Sequence, residues 1–99
     1  MAINVEWQDE RGAILARYEG PSFTLTLVER ADPASNCMRF IDPYGNTTFN
    51  QQQLPVLVQE LEALETQTTD GQREVIRALL TFLRPAQDQV HTYIKFIGD

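Results

Sequence analysis

Ninety-nine residues with 42% hydrophobic content supply one core and one domain, and leave no room for a second. A formal net charge of -6 and a sequence pI of about 4.6 mark an acidic protein and disfavour general attraction to nucleic-acid phosphates or anionic membranes. A single cysteine, Cys37, excludes an internal disulfide, and no stretch approaches the roughly 18 apolar residues of a membrane span.

Residues 3 to 7 alternate Ile3, Val5 and Trp7 with Asn4 and Glu6, the period of a strand with one buried face. Gln8 to Gly12 then turns the chain into a second strand over residues 13 to 18, with Ile14, Ala16 and Tyr18 on one side and Leu15 and Arg17 on the other. Gly20-Pro21-Ser22 punctuates, and Phe23, Leu25 and Leu27 alternate with Thr24, Thr26 and Val28 to predict a third strand. Residues 29 to 36 have loop composition, and residues 37 to 42 read as a fourth strand. Asp42-Pro43-Tyr44-Gly45 is a turn signal that predicts a hairpin into a short fifth strand, Asn46 to Phe49.

Asn50 and Gln53 are spaced as a capping box, and Phe49 is placed to pack on Leu54 as a staple. Leu54, Leu57, Val58, Leu61 and Leu64 then form the stripe of an amphipathic helix, whose regular part Pro55 delays by a few residues. Thr69 or Asp70 is the expected cap of a second helix bearing Val75, Ile76, Leu79 and Leu83, which Pro85 stops near Arg84. Residues 90 to 97 give a last strand. The sum is a single α+β domain over residues 1 to 99, an antiparallel sheet of five to six strands with two helices on one face, in the order β-β-β-β-β-α-α-β.

Chemistry-bearing patterns are sparse. One histidine and one cysteine cannot supply a zinc site, and no loop has the acidic spacing of a calcium or magnesium site. Gly12, Gly20, Gly45, Gly71 and Gly98 are scattered beside turns, so no phosphate-cradling loop is formed. Nucleophilic catalysis needs Ser22, Ser35, Cys37 or a Thr activated by His91, the one imidazole; a Cys37-His91 pair is conceivable, yet Cys37 sits in an apolar run where a thiol packs as a small hydrophobe. No cofactor, metal or catalytic residue is therefore expected.

Two surfaces carry more signal. If Ile3, Val5, Trp7, Ile14, Ala16, Phe23, Leu25, Met38, Phe40, Ile94 and Phe96 face the helices, the other face collects Glu6, Arg17, Thr24, Thr26, Arg39, Tyr93 and Lys95, with Leu15, Cys37 and Ile41. Such a cation-rich face in an acidic chain suits an acidic partner or anionic ligand, with Tyr93 as aromatic contact, or is a solvated face whose cations pair with loop acids. Second, Glu60, Glu62, Glu65 and Asp70 on and after the first helix oppose Arg73, Arg77 and Arg84, either within the domain or across a homodimer.

Blocks 39 to 50, RFIDPYGNTTFN, and 91 to 99, HTYIKFIGD, resemble those of a family of small uncharacterised bacterial proteins of about this length. The resemblance implies a stand-alone bacterial domain, and cytoplasmic residence follows from the absence of a signal-peptide pattern at the first residues. It carries over no activity and no site residue. The expected function is a non-catalytic interaction or regulatory protein that binds a macromolecular partner. The alternative is a small-molecule binder or minor enzyme with a pocket near residues 42 to 50 and the last strand, where Tyr44, His91 and Tyr93 are the polar contacts.

Overall fold

A computed structural model describes residues 2–68 and 71–98. The first strand, β1 (Ala2–Asp9), turns tightly into β2 (Ile14–Arg17). Asp9 builds that turn: its carboxylate accepts the N–H groups of Arg11 and Ala13, both at 2.9 Å, while its own N–H donates to the Ala13 carbonyl. Gly12 completes it at φ +82°, a conformation that side-chain-bearing residues resist. The hairpin is bulged. Trp7 pairs with Ala16 but Gln8 pairs with Ile14, which turns Ile14 to the outward side, 42% exposed, instead of the core side expected from simple alternation.

The predicted third strand survives only as β3 (Phe23–Thr24), which pairs with the start of β1; the chain then coils into α1 (Leu25–Glu29). Phe23 and Leu27 are both buried, and a spacing of four serves a helical turn as well as a strand. The predicted fourth strand is instead a 3₁₀ turn, Met38–Phe40, so the expected hairpin between residues 37 to 42 and 46 to 49 does not form. Its cause is distant in sequence. The Glu60 carboxylate accepts the consecutive N–H groups of Asn36, Cys37 and Met38 at 2.6, 3.1 and 2.9 Å, which holds the segment coiled. Cys37, Met38 and Ile41 are consequently buried and Arg39 and Phe40 exposed, reversing the sides expected for Cys37, Ile41 and Phe40.

β4 (Asn46–Asn50) leads to α2 (Leu54–Gln67) through the capping box read from the sequence: Gln53 N–H donates to Asn50 Oδ1 at 3.0 Å and Asn50 N–H to Gln53 Oε1 at 2.9 Å. Pro55 lies at the helix start, where no backbone donor is lost, and residues 51–53 form the delaying turn. α3 (Gln72–Leu83) passes into a 3₁₀ turn, Arg84–Asp88, at Pro85. The caps expected at Thr69 or Asp70 lie outside the described residues. β5 (Thr92–Ile97) closes the chain's path.

The five strands form an antiparallel sheet in the order β2-β1-β5-β4, with β3 on β1. The last strand thus inserts between the first and the fourth, pairing along Asn4↔Ile97 to Asp9↔Thr92 on one side and Asn46↔Ile97 to Asn50↔Tyr93 on the other. α2 and α3 supply Leu54, Leu57, Val58, Leu61, Ile76, Leu79, Leu80 and Leu83 to a single core with Ile3, Val5, Phe49, Ile94 and Phe96 from the sheet. Phe96 is its centre, its ring 5.6 Å from that of Phe23 and 5.8 Å from that of Phe49. Burying each such side chain contributes about 1.5 to 3 kcal/mol, so this one face carries most of the folding energy. The protein is an α+β fold whose sheet has one covered face.

Candidate functional site

Strand pairing orders the uncovered face into rows. One row runs Arg17, Glu6, Lys95 and Thr48; the next runs Ile14, Gln8, Tyr93 and Asn50; a third holds Asn4, Ile97 and Asn46. Burial follows the same alternation, since Thr92, Ile94 and Phe96 are buried while Tyr93, Lys95 and Ile97 are only partly so. Glu6 is committed: its carboxylate lies 3.5 Å from Arg17 Nε and accepts Gln8 Nε2–H at 2.9 Å. One acid between two cations leaves the first row with excess positive charge. The remaining rows are amides, Tyr93 and two isoleucines.

Of the six residues singled out from sequence, the structure brings Arg17, Tyr93 and Lys95 together on this face. Arg39 is elsewhere, on the 3₁₀ turn, with its guanidinium 4.4 Å from the Phe40 ring centroid. Thr26 sits on α1 rather than on the sheet. Tyr44, 63% exposed, precedes the end of β4 that pairs with Ile97, whereas His91 precedes the end of β5 that pairs with Asn50. These two therefore lie at opposite ends of the ladder. A depression of about 270 Å³ does include His91 and Tyr93, with Asn50, Gln51 and Gln52, but not Tyr44. His91 holds φ +56° and places Nδ1 3.4 Å from Glu10 Oε2.

The acidic and basic helix stripes meet within the chain. Arg77 Nε donates to Glu65 at 2.5 Å, Arg73 lies 3.8 Å from the same carboxylate, and Arg84 reaches Glu62 at 3.2 Å. The hydrogen bond from Arg77 is the main reason the Glu65 carboxyl is held below its ordinary pKa. Among the described residues Glu62 and Glu65 are thus paired with all three arginines, and Asp70 lies outside them. Glu60, grouped with them by sequence, has turned inward to the 37–38 backbone instead.

The Cys37 thiol is buried beside α2, donates to the Gln53 carbonyl at 3.7 Å, and is pushed up in pKa by burial and then by Glu60. His91 meets Glu10 while Cys37 meets Gln53, and no contact joins Cys37 with His91 among the described residues. Among the described residues no three of His, Cys, Asp and Glu converge, and no helix is long and apolar enough to cross a membrane.

One feature had no local signal in sequence: a cleft of about 450 Å³ between residues 30–38 and α2, lined by Asp32, Ser35, Met38, Glu60, Ala63 and Leu64 among others. It exists because Glu60 folds a distant loop against its own helix. Comparison of the chain with family models, with curated proteins and with solved structures finds no match.

Proposed function

We propose that the chain is a non-catalytic protein-binding module and that the uncovered face of the sheet is its working surface. The observation that carries this reading is the contrast between the two charged surfaces. Glu62 and Glu65 are paired with Arg73, Arg77 and Arg84, whereas Lys95 and Tyr93, with Arg17 sharing Glu6, stand on the sheet face turned away from the helices. Tyrosine and arginine are the side chains that most often dominate binding energy at interfaces. The fitting partner presents carboxylates toward Arg17 and Lys95 and an apolar spot toward Tyr93 and Ile97. Residence in the bacterial cytoplasm belongs to the same proposal, and the unpaired, buried thiol of Cys37 is compatible with it.

Affinity capture from lysate of the native host tests the reading with an Arg17→Gln, Tyr93→Thr, Lys95→Gln triple variant and a Glu74→Lys control on α3. The expected result is a partner held by the wild type and the control and lost by the triple variant. Equal retention by all three, or no partner for any, counts against it. The small-molecule reading is favoured by the cleft at residues 30–38, whose size is within the roughly 300 to 1,000 Å³ of ligand sites. Native mass spectrometry decides that one: a retained adduct that Ala63→Phe abolishes supports it, and a bare chain mass removes it.

A further inference from the structure

The hydrogen-bond phase of the β4–β5 ladder determines which backbone groups of β4 point out of the sheet. Gly98 N–H donates to the Gly45 carbonyl at 2.6 Å, and the register continues from there without a break, Asn46↔Ile97 to Asn50↔Tyr93. Antiparallel pairs alternate between bonded and non-bonded, so Thr47 and Phe49 bond to β5, and Asn46, Thr48 and Asn50 turn their N–H and C=O groups outward. Asn50 agrees independently, since its N–H goes to Gln53 Oε1. The outward groups of Asn46 and Thr48 make no hydrogen bond among the described residues.

The two edges of the sheet are not alike. β2 has four residues, is bulged, and carries Arg17, all devices that blunt an edge. β4 has five residues, no bulge and no charge. The absence of charge extends beyond the strand. Residues 43–59 contain no Asp, Glu, Lys, Arg or His, in a chain that is 22% charged. Beside the edge, Phe40 and Tyr44 are 58% and 63% exposed, and the Phe40 carbonyl receives the Thr47 hydroxyl at 3.4 Å, which places the Phe40 segment next to Thr47.

We infer that a second copy of this chain pairs with the free edge of β4, antiparallel and two-fold about Thr47. Asn46 and Thr48 of one copy exchange backbone hydrogen bonds with Thr48 and Asn46 of the other, which satisfies the outward groups of both residues. The symmetry is what selects a second copy over another occupant: an identical edge presents the same two outward N–H and C=O pairs in reverse order, so Asn46 and Thr48 both find mates in register. Electrostatics points the same way. Copies with net charge -6 repel over most of their surface, and the β4 edge itself brings no charge to the contact, its flanking charges being Asp42, whose N–H donates to Thr47 Oγ1, and Arg39 over the Phe40 ring. Lys95 is one strand in from the edge, so the two copies' Lys95 residues stand roughly 16 Å apart, three strand spacings across and two residues along, beyond the Debye length of about 8 Å at physiological salt. The pairing is independent of the sheet-face reading, although it would join two such faces into one.

Sedimentation of the full chain over a wide concentration range tests it, alongside Thr48→Pro and Thr48→Lys. Thr48 N–H lies outside the β5 ladder, so proline removes the intermolecular donor and leaves the monomer's own bonds intact. Lysine keeps the donor and adds an edge charge, which covers the case of a misfolded proline variant. The expected wild-type mass is twice 11.3 kDa, with both variants shifted toward 11.3 kDa and association weakened roughly tenfold or more. Amide exchange at Asn46 and Thr48 slows in the wild type and speeds up on dilution. A wild type that stays at 11.3 kDa, or variants that associate as the wild type does, overturns the inference. So does protection of those amides that arises only when cell extract is added, which assigns the edge to a different polypeptide.

Discussion

Replacing Glu60 by alanine removes the acceptor of three consecutive backbone donors at once. Asn36 is exposed and recovers its bond from water, but Cys37 and Met38 are buried residues whose N–H groups lose a charged acceptor. A hydrogen bond to a charged group is worth about 1.5 to 3 kcal/mol; for two such bonds in a partly open cleft, about 2 to 4 kcal/mol is the expected loss. Glu60→Gln separates the contributions. Its amide oxygen serves Cys37 and Met38, while its NH₂ faces the Asn36 donor, so its cost is about 0.5 to 1.5 kcal/mol. Urea unfolding followed by the fluorescence of Trp7, the single tryptophan, reads both. With a slope near 1 kcal/mol/M, the alanine midpoint falls by about 2 M or more and the glutamine midpoint by about 1 M. An alanine variant within about 0.5 kcal/mol of wild type, or a glutamine variant as weak as alanine, would refute the role assigned to this carboxylate.

Gly98→Ala drives a methyl to 2.6 Å from Gly45 N, Gly45 O and Pro43 C, all backbone atoms that cannot rotate away. A loss of about 2 to 3 kcal/mol and a Tm lower by about 8 °C or more are expected, and an unchanged Tm contradicts the close crossing. Glu65 has its folded-state pKa lowered, chiefly by Arg77, so its contribution is present above the unfolded-state value of about 4.3 and is lost as pH falls through the lower folded value. Thermal melts of wild type and Glu65→Gln therefore differ at pH 7 and converge in acid; a gap that persists there refutes the ion pair's contribution. The buried Cys37 thiol, with its raised pKa, reacts with a disulfide reagent far more slowly in native protein than in urea, and comparable rates would refute its burial.

Where local chemistry decides structure, the sequence was legible. Asn50 and Gln53 form the reciprocal cap their spacing announces, Pro55 and Pro85 mark a start and an end, and the helical stripes from Leu54 and from Val75 mark the two main helices. Short apolar runs were not. Phe23 to Val28 alternates like a strand, yet residues four apart share a side in both geometries, and six residues are too few to separate the two periods. Residues 37 to 42 depended on a carboxylate more than twenty positions away, which no window on the run itself contains. The same contact opens the cleft beside α2. On the sheet, Arg17, Tyr93 and Lys95 were correctly grouped because strand periodicity alone sets their side, whereas Arg39 was misplaced with the strand that did not form.

Site-specific photo-crosslinking in the native host gives the most direct reading of whether the bare side of the sheet is in use. A benzophenone side chain at Tyr93 is expected to yield a discrete adduct heavier than a dimer of the 11.3 kDa chain, and the same group at Glu74 on α3 none. Adducts from the helical side with nothing from Tyr93 would contradict the account.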